Sequence, residues 1–243
     1  DHNYPGDQFP FGYRELQDPI SGRTDSILAR CEAAGVAPKI MHLDTDAELW
    51  SARASLVVTD CDGIDIEQPE NVRVYMAAGM PHGAAEPAPG ATQLPTNEIS
   101  YSALLRPLLV SLRAWVETGA TPLPSCFPSI GAGTLVAPDK TGFPDIPGVT
   151  FSGLMNGLHL ADYTTNPPRE GAAYPIFVST VDSDGNGDAG LRHPALQVPR
   201  TKMTGWNLRA AGHGEGDIYS TIGSSIAFAE TRVARMAAGD PRP

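Results

Sequence analysis

The 243-residue chain sets 17 Lys and Arg against 28 Asp and Glu, a formal net charge of −11, which argues against nucleic acid or an anionic membrane as partners because both need clustered cations. It has no run of about 18 apolar residues long enough to span a bilayer, and 25 Gly with 23 Pro at 41% hydrophobic content describe a loop-rich globular chain, not a helical bundle. The length suits one large domain or two small ones.

The chain starts at Asp1 without a Met, which suggests processing or an artificially trimmed sequence. Its first twenty residues are aromatic and turn-rich, predicting an ordered loop packed by Phe9, Phe11 and Tyr13. Thr24 or Asp25 can cap a short helix running to about Ala34, which Gly35 stops. "PKIMHL", from Pro38 to Leu43, has the length and composition of a buried strand. Asp44 or Thr45 can then cap a helical segment through "DTDAELWSARASL".

A polar loop, "TDCDGIDIEQPE", leads into the strand "VRVYMAA" and then a loose linker, "GAAEPAPGATQLP". After Asn97 the apolar period changes: Ile99, Leu104, Leu105, Leu108, Leu112, Trp115 and Val116 share one helical face, closed by Gly119. Pro107 lies inside that pattern, where a proline costs roughly 3 kcal/mol and predicts a kink or a restart. Residues 121–147 read as a surface stretch punctuated by Pro and Gly. "YPIFVSTV" reads as a strand and "SSIAFAETRVARMAAG" as a helix from about Ser225 to Ala238. Helix alternating with strand over residues 24–118 is the pattern of an α/β protein with a parallel sheet.

The chemistry gathers beyond the two strands. In open α/β sheets functional groups collect past the carboxyl ends of the strands. The loop after the Ile40 strand offers Asp44, Asp46 and Glu48, and "MPHG" after the next strand offers His82. Parallel strands put both loops at one sheet edge. An acid on one imidazole nitrogen fixes the tautomer and leaves the other nitrogen free to take a proton from a nucleophile. The order acid then histidine matches the end of a Ser…Asp/Glu…His series. The plainer reading is a structural histidine beside a strand end. No G-x-S-x-G turn occurs to supply a serine. Ser21 and Ser224 lie outside a strand–turn–helix context, Cys31 is placed mid-helix and Cys61 in the polar loop.

The segments "PKIMHLDTDAELWSARASLVVTDCDG", "PENVRVYMAAGMPHG", "TGWNLR" and "AFAETRVARMAAGDPRP", with others collinear between them, resemble the C-terminal part of a family of large alpha/beta-hydrolase domain proteins, mostly bacterial and often exported. The resemblance implies an alpha/beta-hydrolase-like α/β fold. Residues 1–119 would supply the C-terminal portion of the mainly parallel sheet, with the acid and histidine strand ends. Residues 120–243 would form a loop-rich extension on the same domain. The family's H-x-[ND]-x-x-x-E-[YL]-W pattern is matched by His42, Asp44, Glu48, Leu49 and Trp50, which favours Glu48 as the acid, with Asp46 and then Asp44 behind it. His82 matches the family's strand-end histidine.

Family members carry their nucleophile turn upstream of the Phe9–Tyr13 segment. The resemblance therefore implies a serine carboxylic-ester hydrolase that is incomplete alone. Its serine would lie on the N-terminal portion of the same precursor, its substrate would be a small or polymeric ester, it would need no cofactor, and its compartment would be secreted or periplasmic. The rival expectation is a non-catalytic structural or binding subunit with a calcium-stabilised loop. "DSDGNGD" places Asp182, Asp184, Asn186 and Asp188 at alternate positions, but His193 stands where an EF-hand needs a bidentate Glu, so a strand-end turn is the plainer reading. His42 reads as a core residue or one supporting a site from behind; His159, His193 and His213 share no zinc spacing. Trp50, Trp115 and Trp206 read as packing residues. Cys31, Cys61 and Cys126 lack C-x-x-C spacing and read as buried thiols, with a Cys31–Cys61 bridge open in an oxidising compartment.

Overall fold

A computed structural model describes residues 9–83, 86–151, 153, 159–219 and 221–242. Residues 1–8 of the expected aromatic loop and 84–85 of the expected linker lie outside them. β1 (Leu16–Gln17) pairs antiparallel with β2 (Thr24–Asp25), and α1 spans Ala29–Ala33. β3 (Ile40–Thr45) runs directly into α2 (Asp46–Ala52). β4 (Val72–Ala77) and α3 (Ser102–Thr118) follow. The second half holds β5 (Leu135–Val136), β6 (Ala161–Asp162), β7 (Arg169–Glu170) and β8 (Val178–Ser179). It ends with α4 (Pro194–Gln197), β9 (Thr201–Thr204), β10 (Ser224–Ala227) and α5 (Arg232–Ala238).

β3 and β4 are parallel and in register from Ile40 opposite Val72 to Thr45 opposite Ala77. Because side chains alternate along a strand, Ile40, His42 and Asp44 share a face with Val72, Val74 and Met76, and Leu43 shares the other with Tyr75 and Ala77. The first face meets the larger core, where Trp50, Leu135, Val178 and Trp206 join the β4 residues. The second meets Ile99 and Leu104 at the head of α3, together with Met80, Leu196 and Met203. A sheet covered on both sides explains why β4 reads as a continuous apolar run. On its far edge β4 is extended by two short parallel bridges: the Met76 amide donates to the Cys126 carbonyl (3.0 Å) and the Ala78 amide to the Leu191 carbonyl (3.0 Å). Among the described residues, no strand pairs with the second edge of β3.

The remaining ribbons are antiparallel two-stranded pairs, so the sheet content is mixed. The expected helix over 225–238 forms only from Arg232. Ser224–Ala227 instead pair with β9, because a partner strand outweighs the modest helix propensity of Ser and Ile. The expected strand Tyr174–Val181 is regular only at Val178–Ser179, where β5 reaches it. Likewise Thr24 and Asp25 pair with β1 instead of capping a helix. α3 runs undivided through Pro107. The proline stands at an exposed position in the second turn, where it removes only the bond to the Ala103 carbonyl. Leu108 and Trp115 are buried as expected, whereas Val116 is 60% exposed. Lys39 and Arg73 lie over the Trp115 ring at 5.3 and 5.1 Å.

Candidate functional site

Thr45 ends β3 in an extended conformation (φ −107°, ψ 171°) and is the N-cap of α2. Three residues on, Glu48 turns back: its Oε2 accepts from the Thr45 amide (2.6 Å) and from the Thr45 hydroxyl (2.5 Å). This is the acid half of a capping box, which satisfies a helix-start donor. With Oε2 committed there, Oε1 meets Nδ1 of His82. One carboxylate therefore both caps the helix and orients the imidazole.

His82 reaches that position through a sharp exit from β4. Gly79 has φ +62°, and a Cβ there would stand 2.8 Å from a Leu196 methyl and 2.9 Å from the Met203 carbonyl oxygen, so glycine is required twice over. The Ala47 amide donates to the Met80 carbonyl (3.2 Å), tying the acid loop to the histidine loop. The Glu48 side chain is 18% exposed and the His82 side chain 65% exposed. With a carboxylate on Nδ1, the proton sits on that nitrogen and Nε2 carries the lone pair. Among the described residues nothing hydrogen-bonds Nε2, so it is open to a group arriving from solvent or from another polypeptide.

The other two acids go elsewhere. Asp46 is buried beside the pair, and its Oδ2 accepts from the Gly205 amide (3.0 Å). Burial pushes its carboxyl up to about 6, opposed by the Gly205 hydrogen bond and by the charge of Lys202. Lys202 is fully buried, its amine 4.4 Å from the Phe143 ring centroid and 5.1 Å from that of Trp206, with no hydrogen-bond partner among the described residues. Burial pulls that amine down to about 7. Asp44 faces His42 instead: Oδ2 lies 2.7 Å from Nε2, off the line of a formed hydrogen bond, while His42 Nδ1 meets the Tyr13 hydroxyl at 2.8 Å. Desolvation, reinforced by the Asp44 charge, raises the Tyr13 phenol. His42 is thus a half-buried member of a Tyr13–His42–Asp44 cluster.

The residues weighed as nucleophiles are unsuited to the task. Ser224 is fully buried and hydrogen-bonded to the Thr204 hydroxyl (2.6 Å), and Ser21 donates to Asp18 (2.5 Å). Cys31, Cys61 and Cys126 are all free thiols, so the Cys31–Cys61 bridge does not form. Burial, with Asp18, Asp60 and Asp62 nearby, pushes the Cys61 thiol up to about 11, away from the reactive thiolate.

In the 182–188 turn Asp182 and Asp188 face protein donors, whereas Asp184 Oδ1 is buried without a hydrogen-bond partner among the described residues. Asp182 accepts the Asp184 and Asn186 amides (3.0 Å each) and an Arg192 guanidinium nitrogen (2.9 Å), and Asp188 accepts the Thr180 hydroxyl. Asn186 is buried and accepts the Met203 amide. His193 caps α4 by accepting the Ala195 amide (3.1 Å). No group of three or more His, Cys, Asp or Glu is arranged to hold a metal among the described residues. Trp50 and Trp206 pack 5.7 Å apart in the core with Phe143 and Phe151.

Sequence reasoning missed the neighbours of the pair. Thr45 was visible as a cap, and the T-x-x-E spacing was the signal that would have joined it to Glu48. Gly205 and Lys202 lie more than 150 residues from the acid loop, and a single sequence offers no pattern that would bring them there. A search of curated proteins and a search of solved structures both return no match to this chain. Residues 6–237 match the family model described as an alpha/beta hydrolase domain. With nearly the whole chain inside that match, and an acid and a histidine meeting beyond two adjacent parallel strands, the chain belongs to the alpha/beta hydrolase domain family and carries the expectation of hydrolase chemistry.

Proposed function

We propose that this chain is the C-terminal portion of a serine hydrolase acting on carboxylic esters, with His82 as general base and Glu48 as the acid that orients it. The observation that carries this reading is the His82 Nδ1 contact to Glu48 with Nε2 left open at the carboxyl edge of the sheet. In the proposed reaction a serine hydroxyl attacks the ester carbonyl. His82 Nε2 takes the hydroxyl proton, the tetrahedral intermediate collapses to an acyl-enzyme, and His82 returns the proton to the leaving alcohol. Water then repeats the sequence and releases the acid. Glu48 stays ionised, holds the ring and stabilises the imidazolium. Asp46 and Asp44, engaged with Gly205 and His42, are the weaker choices for this role.

The serine and the oxyanion-binding amides belong, in this reading, to the N-terminal portion of the same precursor. Two features support such a partner. The second edge of β3 pairs with no strand among the described residues, and an open strand edge invites another strand. α3 exposes Leu109, Val110 and Val116 at 56, 70 and 60%. A small or polymeric ester is the proposed substrate, and an exported protein the proposed setting. The chemistry requires no metal or cofactor.

A serine-directed fluorophosphonate tests this reading. Labelling of the upstream polypeptide in the assembled protein is expected, with loss of labelling in His82→Ala. Glu48→Gln should keep the back-bond to Thr45 but lower kcat by on the order of 10⁴-fold, because the amide favours the wrong tautomer. Absence of labelling in the intact assembly would remove the proposal and leave a non-catalytic subunit.

A further inference from the structure

The acid and histidine loops leave neighbouring strands, but strand pairing ends at Thr45 opposite Ala77. Beyond that point another part of the chain sets their separation. β9 pairs antiparallel with β10 and runs into Gly205. The Gly205 amide donates to Asp46 Oδ2 at 3.0 Å. Its backbone is pressed so closely into the loops that a Cβ would stand 2.4 Å from the Ala47 nitrogen. The same atom would lie 2.6 Å from the Asp46 carbonyl carbon and 2.6 Å from the Met80 carbonyl oxygen. Those are the two peptides already joined by the Ala47 to Met80 hydrogen bond.

The ribbon is also tied to the histidine loop, through Asn97 and Gly223. Asn97 Nδ2 donates to the carbonyls of Gly79 (2.8 Å) and Thr204 (3.1 Å). A Cβ on Gly223, just before β10, would stand 2.3 Å from the Thr204 carbonyl and 3.2 Å from the Pro81 ring. The contacts converge two positions before Glu48, at Asp46, and two before His82, at Met80.

We propose that Gly205 and Asp46 are positioning residues, through which the β9–β10 ribbon sets the spacing that lets His82 Nδ1 meet Glu48. The ribbon lies about 160 residues downstream of the acid loop, so the second half of the chain is part of the site's framework. The functional weight of this role rests on the hydrolase reading above, but the geometric claim can be tested without it.

The test is ring ¹⁵N NMR of histidine-labelled assembled protein, which reports the tautomer of each imidazole; His82 is assigned by its loss in His82→Gln. The wild-type protein should show the Nδ1–H form. Gly205→Ala and Asp46→Ala should shift His82 to the Nε2–H form that free imidazole prefers. Asp46→Asn, which keeps an acceptor for the Gly205 amide, should restore Nδ1–H. A folded Gly205→Ala or Asp46→Ala protein with an unchanged His82 tautomer would overturn the proposal. If both variants fail to fold, hydrogen exchange in the wild type decides. The Gly205 and Ala47 amides should exchange as slowly as that of Met76 in β4, and exchange at exposed-loop rates would overturn it. Loss of the hydrolase reading alone would appear as absent fluorophosphonate labelling with the tautomer response intact.

Discussion

At the scale of single residues, the two buried charges behind the site oppose each other in pH. Asp46 in the folded chain holds its proton up to about 6, from an ordinary value of 3.8. The folded state thus binds more protons than the unfolded state between those values, and stability falls as pH rises through them, by about 3 kcal/mol in total. Lys202 runs the other way: its amine is pulled from 10.5 to about 7. Between those values the unfolded state binds more protons, so stability recovers as pH rises. The two groups therefore place a minimum in stability near pH 6–7. Thermal melting across pH should show it, and Asp46→Asn with Lys202→Met should flatten it. Burying charged groups without a direct partner costs free energy that neutral groups of similar volume avoid, so the double variant should melt no lower than the parent at pH 6.5. A melting temperature that rises monotonically through pH 6–7 in the parent would contradict the assignment.

At the scale of elements, legibility followed locality. β3, α2 and β4 were readable because each is decided within a few residues: an apolar run, a cap at Thr45, a breaker at Gly79. Strand ends pointed to His82 and to Asp44, Asp46 and Glu48 as a set; the family resemblance, not locality, favoured Glu48, and it is Glu48 that meets His82. The errors fell where a distant partner decides the outcome. Ser224–Ala227 became strand because β9 lies beside them, and Tyr174–Val181 lost regularity where β5 supplies only two partners. Pro107 was correctly located but wrongly weighed, since a proline in the second turn sacrifices one hydrogen bond without dividing the helix. Pro107→Ala restores that bond at an exposed position and should stabilise the protein by roughly 1–3 kcal/mol, within the propensity gap between the two residues. Denaturant melting with an unchanged m-value checks it, and no gain would mean that the helix start is held by something other than its backbone ladder.

At the scale of the whole molecule, β3 has an edge that pairs with no strand among the described residues and α3 exposes apolar side chains, two surfaces that the proposed upstream portion would cover. Leu109, Val110 and Val116 in water represent apolar surface that a larger core would cover. If the proposed upstream portion exists, the chain on its own should self-associate and that portion should suppress the tendency. Light scattering across a concentration series, with Leu109→Glu and Val116→Lys as a paired variant, checks this. A monodisperse monomer with a single sharp unfolding transition, unaffected by those substitutions, would count against a missing half.

The double duty of Glu48 has an evolutionary consequence. Under the proposed hydrolase reading, position 48 answers to two selective pressures, one from the helix it starts and one from the imidazole it faces, whereas position 82 answers only to the second. Lineages that abandon catalysis should lose the histidine first and keep a Glu or Gln at 48 for the sake of the fold. Survival of that carboxylate in a distant descendant would therefore say little about activity, and the identity of residue 82 would say a great deal.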